Sequence, residues 1–147
     1  MKFKLIYPRW EKLDGQTIFN LPPHGPVVMA AALPPYVDVD FTDENVEDLV
    51  IDETPDFVGI SMMLTTQVKR GWEIAEKYHA LGKKVIFGGI STMLHAEETL
   101  RYADSVFLGE VEGRLDKVFE DFRQNKLQKI YNFINNPPDM SLIGSAR

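Results

Sequence analysis

The residues in this sequence that could do chemistry fall into four short stretches. GISMMLTTQ carries Ser61, a small hydroxyl that both donates and accepts, followed by Thr65 and Thr66 where a helix should begin. Either threonine as a helix cap, with Met62 and Met63 as core filler, accounts for the same residues without a ligand. VIFGGIST sets Gly88 beside Gly89, with Ser91 and Thr92 just beyond. One glycine suffices for a turn, whereas two also keep a surface free of Cβ atoms, so that a flat ligand can approach the backbone. The pair belongs to neither the G-x-G-x-x-G nor the G-x-x-x-x-G-K phosphate pattern. LGEVEG holds Gly109, Glu110 and Glu112; its carboxylates suit acid–base work, and equally the start of a following helix. His24 lies in a long loop facing these stretches and reads as a loop histidine in solvent. His79 and His95 read as surface positions on helices, and no two histidines have metal-ligand spacing, so no protein-built metal site is expected.

These stretches need a scaffold, and the hydrophobic pattern supplies one. FKLIY, stopped by Pro8, predicts a first strand, and residues 8–25 a long loop. Gly25 and Pro26 open a short helix over VVMAAAL, with proline at the first helical position and Pro34-Pro35 ending it. YVDVDF alternates apolar and acidic residues, a strand with one wet face near a sheet edge. NVEDLVIDET, with Val46, Leu49 and Val50 at helical spacing, predicts a short helix. DFVGIS and KKVIFGG are continuous apolar runs of the kind buried on both faces of a parallel sheet. Between them Val68, Trp72, Ile74, Ala75 and Tyr78 mark an amphipathic helix from Thr65 to Leu81, ended at Gly82. TMLHAEETLRYA predicts one short helix, DSVFLGE a fifth strand, EGRLDKVFEDFRQ a fifth helix and LQKIYNF a small trailing strand.

Strands alternating with helices imply right-handed crossovers over a parallel sheet. The predicted fold is α/β: a flavodoxin-like (Rossmann-like), doubly wound five-stranded parallel sheet of order 2-1-3-4-5 in a three-layer sandwich. In such sheets ligands sit outside the carboxyl ends of the strands, which selects the loops 8–25, 61–66, 88–94 and 109–113.

Composition narrows the function classes. At 147 residues one domain is expected, over residues 1–131, followed by a linker-like tail over 132–147. The formal charge of −6 leaves no basic footprint for nucleic acid. The apolar run before Pro8 is too short for a signal peptide or membrane span, so a cytoplasmic location is expected. No cysteine occurs, which rules out a disulfide, a thiolate zinc site, a cysteine nucleophile and an iron–sulfur cluster held by these residues.

Taken in order, VDFTDENVEDL, PDFVGISMML, KKVIFGGISTMLHAEETLRYADSVFLGEVEGRLDKVFEDF and LQKIYNF resemble the N-terminal cobalamin (vitamin B12)-binding domain of the cobalamin-binding radical SAM enzymes. The resemblance implies that the Ser-x-Leu-type motif after the third strand, here Ser61-Met62-Met63, and the Gly88-Gly89 motif after the fourth surround the cofactor's nucleotide tail. Ser61 would hydrogen-bond the dimethylbenzimidazole side of the tail, with Met63, Thr65 and Ser91 nearby. Gly109, Glu110 and Glu112 match the family's G-E-x-E-G stretch, which would close the far side of the tail pocket.

Two departures qualify it. The D-x-H-x-x-G motif that supplies a cobalt ligand in the methionine synthase type is absent, PRWEKLDGQ standing after the first strand; many radical SAM relatives lack it too. The C-x-x-x-C-x-x-C motif is also missing, so an iron–sulfur cluster and S-adenosylmethionine would belong only to a downstream domain. NNPPDMSLIGSAR resembles the segment leading into that domain. The implied function is a cobalamin-binding module, non-catalytic alone, presenting the cofactor to a radical SAM domain in cis or in trans, with methyl transfer as one such use. The alternative is a cofactor-free interaction or scaffold domain of the same fold. A phospho-receiver and a flavodoxin fail, because the first lacks its acidic pair and lysine and the second its phosphate loop.

Overall fold

The computed structural model describes residues 1–11 and 23–139; most of the long first loop and the end of the tail lie outside the described residues. Six parallel strands form one sheet: β1 (Lys2–Tyr7), β2 (Asp38–Asp43), β3 (Phe57–Ser61), β4 (Lys84–Gly88), β5 (Ser105–Leu108) and β6 (Ile130–Asn132), in the order β2-β1-β3-β4-β5-β6. The helices are α1 (His24–Ala31), α2 (Val68–Ala80), α3 (Ile90–Leu94), α4 (Ala96–Thr99) and α5 (Leu115–Arg123), with a 3-10 turn at Thr65–Gln67 leading into α2.

The chain is doubly wound, and two cores form. Ile6, Val58, Ile60, Val85, Phe87 and Val106 pack on one side, with Ile74, Ala75 and Tyr78 of α2. Phe3, Leu5, Phe57, Ile86 and Phe107 pack on the other, with Leu115, Val118 and Phe119 of α5. Alternation along each strand sends neighbouring residues to opposite layers, which is why the central strands read as unbroken apolar runs. β2, at the edge, is half wet, as its alternating sequence implies.

Four details correct the sequence reading. The sheet has six strands rather than five: β6 pairs parallel to β5 through Phe107 and Tyr131, because buried Tyr131 packs near Phe107 and donates its hydroxyl proton to Asp121 at 2.8 Å. NVEDLVIDET forms no helix. The Asp43 side chain accepts from the Asn45 N–H at 2.9 Å, and its carbonyl takes both the Val46 and Glu47 N–H groups, so the chain closes a single turn and continues without regular secondary structure. Leu49 and Ile51 then pack on the core while Val46 and Val50 stay exposed. TMLHAEETLRYA breaks at His95 into α3 and α4, and α3 starts straight after Gly89, placing Ser91 and Thr92 inside it. Finally, α1 begins at His24, so Pro26 sits within the first turn rather than at its first position, still where a missing N–H costs little. Among the described residues no helix is long and apolar enough to cross a membrane.

Candidate functional site

A cavity of about 470 Å³ opens between the sheet and the layer formed by α1 and α5, within the range of about 300–1,000 Å³ typical of small-molecule sites. Its floor follows from strand alternation. On this face β3 presents Phe57, Gly59 and Ser61; β4 presents Ile86 and Gly88; the chain leaving β5 presents Phe107 and Gly109. Toward their carboxyl ends, three neighbouring strands thus change from bulky to minimal side chains. Ser61 and Gly88 are register partners, so the small residues lie side by side. The inner end is closed by the rings of Phe3, Phe57 and Phe119, whose centroids lie 5.0–5.7 Å apart. Phe3 fills the space over Gly59, where a Cβ would collide with its ring.

The glycine pair divides its work. Gly88 has an ordinary φ and nothing within 4 Å of where its Cβ would stand, so it is open floor. Gly89 has φ +93°, and a Cβ there would run into the Met62 carbonyl. It makes the turn that starts α3 and lets the β3 and β4 loops touch, with the Ser91 N–H donating to the Met62 carbonyl at 3.0 Å. Gly109, at φ +108°, lets Phe133 pass close, since a Cβ would lie 2.9 Å from the Phe133 carbonyl carbon.

Of the nine residues expected at the site, the structure brings six together around this cavity: Ser61, Gly88, Gly89, Gly109, Glu110 and Glu112. Met63 and Thr65 are exposed and lie off the cavity, while Ser91 is fully buried within α3 with its Oγ unpartnered. Ser61 is half-buried, and its hydroxyl has no hydrogen-bond partner among the described residues. Glu112 has one carboxylate oxygen fully buried and unpartnered, and so has Arg114 one guanidinium nitrogen. The other terminal nitrogen of Arg114 donates to the Asn136 carbonyl, and its guanidinium sits 4.3 Å from the Phe133 ring centre. His24, expected in a loop, begins α1 and lines the cavity mouth as an exposed residue. Among the described residues no lysine or arginine lines the cavity.

One organising residue escaped the sequence reading. Gln67 is fully buried, and its side-chain oxygen accepts from the Met63 and Leu64 N–H groups at 2.8 and 2.9 Å while its nitrogen donates to the Pro8 carbonyl at 2.5 Å. It caps the turn in place of Thr65 and Thr66, which are exposed, and ties the β1 loop to the β3 loop. Its only sequence signal is a polar residue just ahead of the apolar stripe of α2.

The sequence model of the B12 binding domain family matches residues 21–119. Among curated proteins, the chain is 30% identical over 112 residues to the bacteriochlorophyllide d C-8(2)-methyltransferase of Chlorobaculum tepidum, covering 76% of this chain and 25% of that protein. It is 27% identical over 126 residues to the bacteriochlorophyllide d C-12(1)-methyltransferase of the same organism, covering 78% of this chain and 27% of the relative. The chain therefore spans about a quarter of the length of these relatives. No solved structure gives a significant match.

Proposed function

The chain belongs to the B12-binding domain family, and from that premise we propose that it holds cobalamin with the nucleotide tail in the cavity between the sheet and α1/α5, and presents the cofactor to a radical SAM domain in cis or in trans. The observation that carries this reading is the floor of small residues. Ser61, Gly88 and Gly109 leave open the carboxyl end of a sheet face that is bulky elsewhere.

The residues present fit the group. A Cβ at Gly88 would occupy the open floor, and the orphaned oxygen of Glu112 is an acceptor for a hydroxyl or amide N–H of the tail. Ser61 Oγ is free to donate to a ring nitrogen of the tail's base. The aromatic rings of Phe3, Phe57 and Phe119 supply an apolar end suited to a flat base. When bound, cobalamin supplies the cobalt chemistry of methyl transfer, and this chain supplies position and burial. The relatives' names as methyltransferases support that use. An iron–sulfur cluster and S-adenosylmethionine would be held by the partner domain, since the sequence has no cysteine.

The test is direct. The purified protein is incubated with hydroxocobalamin and desalted, and the visible absorbance that stays with it is measured. Near-stoichiometric retention is expected; a corrinoid-free eluate at saturating cofactor would end the proposal.

A further inference from the structure

The segment after β6 is held more firmly than its exposure calls for. Ile134, Asn135, Asn136 and Pro137 are exposed and pack into neither core, yet three contacts fix this segment against the chain that follows β5. The Phe133 N–H donates to the Leu108 carbonyl at 2.7 Å. Gly109, at φ +108°, has no Cβ to keep the Phe133 backbone away. Arg114 reaches across from just before α5, its guanidinium 4.3 Å from the Phe133 ring centre and one terminal nitrogen donating to the Asn136 carbonyl at 2.5 Å.

Directly beyond that contact, Pro137 and Pro138 line the cavity between the sheet and α1/α5. A proline ring locks its own φ and pushes the residue before it into extended backbone, so Asn136, Pro137 and Pro138 have little slack. Where the Asn136 carbonyl is held, the two rings follow. Lacking an N–H, neither proline leaves a backbone donor to be desolvated when a ligand covers it. The other terminal nitrogen of Arg114 is buried without a partner. An unmade buried donor is destabilising, so the pose of Arg114 is upheld by its contacts to Phe133 and Asn136.

We propose that Arg114 is a positioning residue for the cofactor: it clamps Asn136 so that Pro137 and Pro138 stand as a wall of the cavity, and occupation of the cavity in turn fixes the course of the chain after Pro138. The inference rests on the cofactor reading above. Coupling of this kind is reciprocal, so a ligand packed against the wall makes the segment harder to displace, and a loosened segment weakens the ligand. The planar guanidinium can lie on a ring and donate from its edge at once, which a lysine ammonium cannot.

The test is amide hydrogen exchange over residues 132–139 of the intact chain, with and without hydroxocobalamin, in the parent and in Arg114→Ala. Cobalamin should slow exchange at Ile134 and Asn136 of the parent about fivefold. Without cofactor, Arg114→Ala should exchange faster at both amides while its Tm stays within about 3 °C of the parent, since a peripheral segment opens locally without unfolding the domain. Its affinity for cobalamin should fall about fivefold, the worth of one hydrogen bond. A loss of affinity at unchanged Tm is what a merely structural arginine would not produce. The double variant Pro137→Gly, Pro138→Gly leaves Arg114 and α5 intact and should weaken cobalamin by a similar factor, so the wall is tested even if Arg114→Ala folds poorly. A parent that retains cobalamin with unchanged exchange over this segment, or variants that bind it as tightly as the parent, overturns this inference alone. A parent that retains no cobalamin overturns the cofactor reading, and this inference with it.

Discussion

Gly88 and Gly89 are neighbours under opposite constraints, and substitution should separate them. Gly88 sits in a strand at ordinary φ with open space over it, so Gly88→Val should change stability by less than about 1 kcal/mol. The added side chain would stand in the cavity, and at about 1–3 kcal/mol for overpacking it should weaken cobalamin retention roughly tenfold or more. Gly89→Ala should do the reverse. A Cβ at φ +93° that meets the Met62 carbonyl should cost about 2 kcal/mol or more of folding stability. Urea unfolding and corrinoid retention, measured on both variants, check this; a destabilised Gly88→Val that still binds would contradict the floor. The two roles could not be separated in the sequence, because a double glycine prints the same letters whether φ is positive or not. Gln67 was illegible for a related reason. It caps its own turn through the Met63 and Leu64 N–H groups, but its link to the Pro8 carbonyl, 59 residues away, exists only in the folded chain.

Elements were legible where burial is one-sided or complete, and illegible where local polar contacts compete with period. The central strands and α2 announce themselves through continuous or helical-period apolar residues. The stretch after Asp43 has that period too, but Asp43 and Asn45 offer the backbone a closed turn, and the helix loses. A specific polar contact also holds the start of β5 to β4 and α2. Asp104 accepts from Lys84 Nζ at 2.7 Å and from the Val85 N–H at 2.9 Å, and faces His79 Nε2 at 2.9 Å. Its partial burial acts to raise the pKa, but the hydrogen bonds from Lys84, Val85 and His79 prevail and hold it below the usual carboxylate range. A carboxyl whose folded pKa is depressed stabilises fully above its unfolded value, 3.8, and loses that contribution as the pH falls through the folded value. Asp104→Asn should therefore cost about 1 kcal/mol at neutral pH. The difference from the parent should shrink below about pH 4, as urea unfolding across pH 7 to 3 would show. A gap that stays constant down to pH 3 would mean the charge contributes nothing.

At the scale of the molecule, the sheet has one face cut away at its carboxyl end, and the depth of that cut makes a demand on the ligand. A cavity of about 470 Å³ ends in three aromatic rings, and the proposal that it takes the nucleotide tail rather than the corrin ring makes a prediction. Binding to the folded state alone stabilises it by about 2.7 kcal/mol when ligand exceeds Kd a hundredfold. For a domain of this size that corresponds to a rise in Tm of about 5–10 °C. Cobalamin should produce such a rise. Cobinamide, which has the same corrin ring but no nucleotide tail, should at equal concentration leave Tm within about 2 °C of the ligand-free protein. Gly88→Val should bring the cobalamin response down toward the cobinamide one, because it narrows the floor on which the tail would lie. Equal shifts from the two corrinoids would place the binding energy on the ring, and the cavity would then need another occupant.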